Sequence, residues 1–139
     1  MKEVFVKEYI MSKVSLPHHH GDNTEYVIER MPSYNDCNEV ADMFKQISDS
    51  TRLRIFWLLC HCEECVSNIA AAMGMTDPAV SHHLKLLKKG GLIVSRREGK
   101  EVYYHVADNE KSELLHHACE AMFKIACPCE HEHEHEHNH

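Results

Sequence analysis

The sequence contains no run of about 18 consecutive apolar residues, the length needed to build a transmembrane helix. We therefore expect no contact with a membrane. The first ten residues, M-K-E-V-F-V-K-E-Y-I, include neither a long apolar segment nor a small-residue cleavage site, so no secretory signal is expected either. Both absences predict a cytoplasmic protein. There the seven cysteines should stay mostly reduced and be available as thiolate ligands or redox sensors.

A catalytic constellation is also lacking. No nucleophile stands beside an activating base in a recognisable motif, and no glycine-rich loop suited to cradle a phosphate occurs. An enzyme is therefore not expected. The 139 residues, of which 43% are hydrophobic, suit one compact domain with a single core.

Positive charge is scarce in the chain as a whole, whose formal net charge is −7. Four glutamates (130, 132, 134 and 136) fall in the last ten residues, however, and leave the remainder near −3. Between Thr76 and His105 six cationic residues outnumber three acidic ones, which gives a local charge of +3. Because the distribution of charge matters more than its total, this segment is a candidate contact for nucleic acid.

The basic segment begins with Thr76–Gly91, T-D-P-A-V-S-H-H-L-K-L-L-K-K-G-G, which predicts a two-faced helix. Thr76 or Asp77 can cap its start, proline fits its first turn, and the glycine pair can end it. At about 100° per residue, one face is apolar and consists of Val80, Leu84 and Leu87. The outward face consists of Ser81, His82 and Lys85, with Lys88 at its margin. Short, hydrogen-bonding and cationic side chains are what a helix needs in a major groove.

The neighbouring segments complete a helix-turn-helix with a wing. A short helix is predicted over Val66–Met73 and closed by Gly74, directly before the two-faced helix. After it, residues 92–97 and 101–106 are rich in β-formers and flank Glu98-Gly99-Lys100, which predicts a hairpin. Cationic residues near its tip, Arg96, Arg97 and Lys100, favour a wing on the DNA backbone or minor groove over an ordinary solvated hairpin. Further helices are predicted over 1–14, 36–47, 51–61 and 109–126. A loop is predicted at the histidine triplet 18–20, and a plain connection over 62–65.

Three segments of the chain resemble the ArsR/SmtB family of metal-sensing repressors, in particular its CadC-like sensors of cadmium, lead and zinc. The segments are S-D-S-T-R-L-R-I, D-P-A-V-S-H-H-L-K-L-L-K-K-G-G-L-I and R-R-E-G-K-E-V-Y-Y-H-V. The resemblance covers residues 36–126. It implies a mainly α fold with a small β-hairpin, a winged helix-turn-helix homodimer. Such a dimer binds double-stranded operator DNA when metal-free and releases it when an inducing metal ion binds. We accordingly expect an N-terminal extension (1–34), an ArsR-type domain (35–126) and a disordered tail rich in cysteine and histidine (127–139).

A first candidate site for the inducing metal is Cys62 and Cys65, whose C-x-x-C spacing lets two thiolates reach one soft ion. The cadmium and arsenic sensors that the chain resembles have C-V-C here, whereas this chain has Cys65-Val66-Ser67, so Cys62 would replace the missing thiolate. The cadmium-sensor type also implies N-terminal ligands, for which the chain offers Cys37, His18, His19 and His20. Zn, Cd and Pb are the first candidate ions, with Ni, Cu and As as further ones.

A second candidate site lies on the last helix. Zinc-sensing members of the family place an Asp-x-His pair before this helix and a His and a Glu along it. Asp108 matches the first ligand, but Glu110 takes the histidine position, and the later pair falls on Ala121 and Lys124. A shifted set on one helical face would consist of His117 and Glu120, with Glu113 one turn earlier. The alternative, slightly favoured, is a hydrated polar face.

Two other functions remain open from the sequence. One is a repressor of the same fold that responds to thiol oxidation or sulfide, through a link from Cys60 or Cys62 to Cys119 or a tail cysteine. The other is a metal-chelating or storage protein, in which Cys127, Cys129 and the five tail histidines would bind Ni, Zn or Cu.

Overall fold

The computed structural model describes residues 15–123. The predicted N-terminal helix (1–14), the last turn of the final predicted helix (124–126) and the tail lie outside the described residues. In chain order the elements are α1 (Asn23–Glu29), α2 (Tyr34–Gln46), α3 (Ser50–His61), β1 (Glu64–Cys65), α4 (Val66–Met73), α5 (Asp77–Lys89), β2 (Ile93–Glu98), β3 (Glu101–Val106) and α6 (Glu110–Phe123). Among these helices none is long and apolar enough to cross a membrane.

The chain divides into two compact units, with the boundary between Glu39 and Val40. The first unit contains α1, which the sequence did not predict, and the start of α2. The guanidinium of Arg30 lies 3.3 Å from the centre of the Tyr26 ring and donates to the backbone oxygen of Tyr26 at the end of α1. The histidine triplet precedes α1 in an exposed loop, as predicted.

The second unit encloses the core between α3, α4, α5, the first wing strand and α6. The helix α3 begins where the sequence predicted, because the Asp49 side chain accepts a hydrogen bond of 2.9 Å from the Arg52 backbone N–H. Burial of each large apolar side chain contributes about 1.5–3 kcal/mol. The buried cluster consists of Ile55, Phe56, Leu59, Ile69, Ala70, Val80, Leu84, Leu87, Leu92, Ile93 and Leu115.

The sheet has three antiparallel strands in the order β1-β3-β2. The predicted hairpin is confirmed, and Gly99 adopts a φ of 61° at its turn, a conformation that glycine adopts without a steric penalty. The segment 62–65 was predicted to be a plain connection, and this was wrong in part. Residues 64 and 65 form the strand β1, in which Glu64 pairs with Tyr104 and Cys65 with Tyr103 of β3. The strand β1 therefore depends on partners some 40 residues away in the chain.

Candidate DNA-binding surface and metal-ligating groups

The helix α5 has the two faces predicted from its sequence. Thr76 caps it, with Oγ1 accepting from the Ala79 backbone N–H at 3.4 Å, and the helix ends at Lys89 before the glycine pair. The inward face is almost completely buried, at 0–1% exposure, and consists of Val80, Leu84 and Leu87. The outward residues Ser81, His82, Lys85 and Lys88 are all exposed. A polar, partly cationic surface is therefore presented by a helix whose orientation the core fixes.

A side-chain hydrogen bond ties α4 to the start of α5. Ser67 Oγ donates to Asp77 Oδ2 at 3.0 Å. Between the two helices Gly74 ends α4 in the left-handed conformation, with a φ of 65°. The resulting pair of helices and its turn form the predicted helix-turn-helix.

The wing is joined to α5 by Lys88, whose Nζ donates to Ser95 Oγ on β2 at 2.7 Å. At its tip Arg97 and Lys100 are exposed, and Arg97 Nε donates to the Gly99 backbone oxygen at 3.4 Å. These cations lie on the part of the hairpin that the sequence assigned to DNA contact.

Arg96 differs from the other wing cations because two carboxylates pair with it. Its Nε donates to Glu63 Oε1 at 2.7 Å and its Nη1 to Glu98 Oε2 at 2.6 Å. These hydrogen bonds raise the pKa of Arg96, and the same contact with Arg96 lowers the pKa of Glu63. The guanidinium also lies 4.8 Å from the centre of the Tyr103 ring. Arg96 is thus largely occupied within the protein.

The two cysteines of the C-x-x-C sequence lie between α3 and α4, with Cys62 directly after α3 and Cys65 at the end of β1. Cys62 is exposed, and its Sγ donates to the Leu58 backbone oxygen at 3.4 Å, whereas Cys65 is half-buried directly before α4. Partial burial and the nearby charge of Glu64 raise the pKa of Cys62. The thiolate, which is the metal-binding form, is therefore less populated at Cys62 than in an ordinary exposed cysteine.

Three other side chains meet between α3 and α6 and are called here the His–Glu cluster: His61, His116 and Glu120. His116 Nε2 lies 3.2 Å from His61 Nε2 and 2.7 Å from Glu120 Oε1, and His61 Nε2 lies 3.9 Å from the same oxygen. The side chains are 9%, 19% and 18% exposed, in chain order. Within residues 15–123 this is the one group of three or more His, Cys, Asp or Glu side chains close enough to share an ion.

Two thiols border the His–Glu cluster. Burial raises the pKa of Cys60 to about 12, with smaller contributions from the charges of Cys119 and Glu120. Burial also raises the pKa of Cys119, again with a contribution from Glu120. Both groups are accordingly neutral thiols near neutral pH.

Comparison with known proteins identifies the chain's relatives. Residues 49–95 match the family described as bacterial regulatory protein, arsR family. Over 101 residues the chain is 34% identical to a transcriptional repressor SmtB homolog of Synechocystis sp., a match that covers 73% of this chain and 76% of the relative. The chain belongs to the ArsR/SmtB family. The family predicted from the sequence is thereby confirmed.

A second relative and a solved structure agree with this assignment. The ArsR/SmtB chain is 40% identical over 81 residues to a cadmium resistance transcriptional regulatory protein CadC homolog of Staphylococcus aureus, covering 58% of this chain and 67% of that protein. The fold of this chain is similar to that of the homodimeric winged helix-turn-helix DNA-binding domain Mb0332 of Mycobacterium bovis. The TM-score is 0.59 and the identity 30%, and the match covers 70% of this chain and 92% of that chain. The predicted winged helix-turn-helix fold is confirmed.

The ArsR/SmtB chain brings only part of the predicted second metal site together. Glu120 lies with His61 and His116, whereas His117 is exposed and has its Nε2 3.8 Å from Glu113 Oε1. The sequence did contain a signal for two of the three members of the cluster, because His116 and Glu120 stand four residues apart on one helix. It contained none for His61, which is 55 residues from His116 and reaches it only through the packing of α3 against α6.

The remaining predicted ligands do not join the His–Glu cluster. Asp108 is exposed just before α6. Cys37 and the histidines 18–20 are exposed and belong to the first unit, and Cys62 and Cys65 belong to the second. Shared metal binding by these two sets stays a prediction.

Proposed function

We propose that this ArsR/SmtB protein is a metal-responsive repressor that binds operator DNA as a homodimer and releases it when a metal ion binds. The observation that carries the proposal is α5, whose buried side fixes the exposed row Ser81, His82 and Lys85 next to a cationic wing. Two relatives support the response to metal, since one is named for cadmium resistance and another as an SmtB-type repressor.

On DNA, α5 would lie in the major groove. Ser81 and His82 are in the first turns of the helix, where the recognition helix of a helix-turn-helix contacts base edges. Lys85 and Lys88 would contact phosphates, and Arg97 and Lys100 on the wing would reach the backbone or minor groove alongside.

The exposed apolar surface of the second unit supports the homodimer. Five large apolar side chains on α2 and α6 are 45–74% exposed: Val40, Phe44, Leu114, Met122 and Phe123. An apolar cavity of about 500 Å³ between α3 and α4 is also lined by Phe123. A second copy of the chain would cover these surfaces, and the similar domain from M. bovis is homodimeric. The two α5 helices would then face major grooves one helical turn apart, about 34 Å.

The proposal is tested by operator selection followed by titration. In vitro selection with the metal-free 139-residue protein yields a DNA duplex, and fluorescence anisotropy measures the affinity of the protein for it with and without Zn(II), Cd(II), Pb(II), Ni(II), Cu(II) or As(III). We expect at least one ion to weaken binding by about 5- to 150-fold, the usual range of allosteric coupling, and EDTA to restore it after Zn(II). Failure to select any sequence, or unchanged affinity with every ion, would contradict it.

Cys62 and Cys65 remain the proposed site for a soft ion. If they bind the inducing ion, Cys65→Ser should abolish release by Cd(II) and leave the metal-free DNA affinity unchanged. Thiolate charge-transfer absorption on addition of Cd(II) should disappear in the same variant. Retention of both release and absorption in the variant would remove the cysteines from the switch.

A second candidate function is a thiol-redox repressor, favoured by two free cysteines, Cys60 on α3 and Cys119 on α6, in helices that contact each other. A disulfide between them would form as an oxidant such as hydrogen peroxide takes two electrons and both thiol protons leave. The raised pKa of both thiols slows that reaction, because the thiolate is the reactive form. Peptide mapping after peroxide treatment tests it: a Cys60–Cys119 peptide supports the redox function, and the absence of any linked pair of cysteine peptides excludes it.

A further inference from the structure

The His–Glu cluster has no role in the DNA contact proposed above, and its three groups meet at a single point between two helices. We propose that His61, His116 and Glu120 form a binding site for a divalent ion of the zinc type within one protomer, and that this ion is an inducer. The role of the ion as an inducer rests on the proposed function, whereas the binding site does not.

The spacing of the three ligand atoms fits a zinc ion. In a tetrahedral site with zinc–ligand bonds of 2.0–2.1 Å, neighbouring ligand atoms lie about 3.3 Å apart. The cluster has separations of 2.7, 3.2 and 3.9 Å, which lie on both sides of that value. Side-chain rotations that move these atoms by about half an ångström would equalise the separations. The fourth position would be taken by water, as in open zinc sites with three protein ligands.

The donor set determines the class of ion. Two imidazole nitrogens and one carboxylate oxygen suit Zn(II), and imidazole also suits Ni(II) and Cu(II). Soft ions such as Pb(II) and As(III) prefer thiolates, whereas the cluster consists of two histidines and one glutamate. We therefore expect Zn(II) to bind at the cluster and As(III) not to.

The protein holds the three ligands close together before an ion binds. The His61 side chain is only 9% exposed, and its Nε2 lies 3.2 Å from that of His116. On α6, His116 and Glu120 are one turn apart and already in contact. The centre of the Trp57 ring lies 4.5 Å from the centre of the His61 ring, and this contact restricts the orientation of the imidazole.

The cluster is connected to the DNA-binding elements from both helices. His61 is the last residue of α3, which leads directly into β1, and β1 pairs with the wing strand β3. At the start of α6, Asn109 Nδ2 donates to the Gly91 oxygen at 2.8 Å and Ser112 Oγ to the Leu92 oxygen at 3.1 Å. These carbonyls lie between the end of α5 and the wing. An ion that draws α3 and α6 together would therefore act on the segment that orients α5.

The experiment compares four glutamine variants: His61→Gln, His116→Gln, Glu120→Gln and His117→Gln. All are made in the 139-residue chain, in which both tail cysteines (127 and 129) are changed from Cys to Ser and all five tail histidines (131, 133, 135, 137 and 139) from His to Asn in every protein. Zn(II) affinity is measured by competition with a chromophoric chelator. Far-ultraviolet circular dichroism and thermal unfolding verify that each variant is folded.

Each of the three cluster variants should weaken the tightest Zn(II) site by more than about tenfold, the least that loss of even an outer-shell partner produces. The variant His117→Gln should keep the affinity of its parent, because that exposed ring contacts Glu113 outside the cluster. Equal affinity in all four variants, or a loss confined to His117→Gln, would overturn the proposal.

Two further readouts separate the site from its role. The first readout uses the protein without any substitution. In its long-range ¹H–¹⁵N spectra, Zn(II) should shift the Nε2 signals of His61 and His116, and unshifted signals would overturn the site. If Zn(II) binds at the cluster but leaves DNA affinity unchanged, the site stands and its role as inducer fails. If Zn(II) still releases DNA from the three cluster variants, the repressor function stands and the cluster is not its switch.

Discussion

The salt dependence of DNA binding tests the assignment of Lys85 to a phosphate. Each phosphate that a protein neutralises adds about 0.9 to the slope of log affinity against log salt. Lys85 is exposed on the outward face of α5, and a dimer presents two copies. Lys85→Ala should therefore reduce the slope by about 1.8. Over a fourfold rise in salt, the variant should lose about twelvefold less affinity than the parent protein.

Arg96→Ala is the matched comparison, since it removes the same charge from a side chain that Glu63 and Glu98 already occupy. We expect its slope to change by less than half as much as that of Lys85→Ala. The assay is fluorescence anisotropy on the selected operator, without added metal, at several salt concentrations. An unchanged slope for Lys85→Ala, or a larger change for Arg96→Ala, would refute the division of the cations into free and occupied ones.

Three further predictions concern stability and reactivity. Thr76→Ala removes the acceptor for the Ala79 N–H and should lower the free energy of unfolding by about 1 kcal/mol in urea titrations, with Thr76→Ser near the parent value. The hydrogen bond from the Arg52 N–H lowers the pKa of Asp49, so the ionised Asp49 stabilises the fold above the ordinary pKa of 3.8, and this stabilisation is lost as pH falls through the lower folded-state pKa. Asp49→Asn should remove that part of the loss of stability in acid. Equal acid sensitivity of the variant and the parent protein would refute this. Burial raises the pKa of Cys60 to about 12. Iodoacetamide at mildly alkaline pH should therefore alkylate Cys60 far more slowly in the folded protein than in the urea-unfolded protein. Equal alkylation rates would contradict the burial of Cys60.

The helix α5 could be predicted closely because its signals are local. A capping threonine, a proline in the first turn, the spacing of three buried residues and a closing glycine pair all lie within 16 consecutive residues. The wing was predictable for the same reason, since two β-rich segments flank a turn with Gly99.

What could not be predicted depends on partners that are distant in the chain. The strand β1 is two residues long and forms only through pairing with Tyr103 and Tyr104. The occupation of Arg96 by Glu63 joins residues 33 positions apart. The His–Glu cluster requires α3 to pack against α6, and the sequence pattern of α6 alone assigned Glu120 to His117 instead of His116. Tertiary packing therefore determined the features on which metal binding and charge availability depend.

The most direct test of metal-controlled DNA binding uses the reciprocity of coupled equilibria. If Zn(II) weakens operator binding by a given factor, operator DNA must weaken Zn(II) binding by the same factor. Titration calorimetry would measure Zn(II) affinity for the free dimer and for the dimer saturated with operator. If Zn(II) controls DNA binding, it should bind the complex more weakly than the free dimer, by the factor that anisotropy gives for DNA release. Identical Zn(II) affinities in the two forms would contradict it.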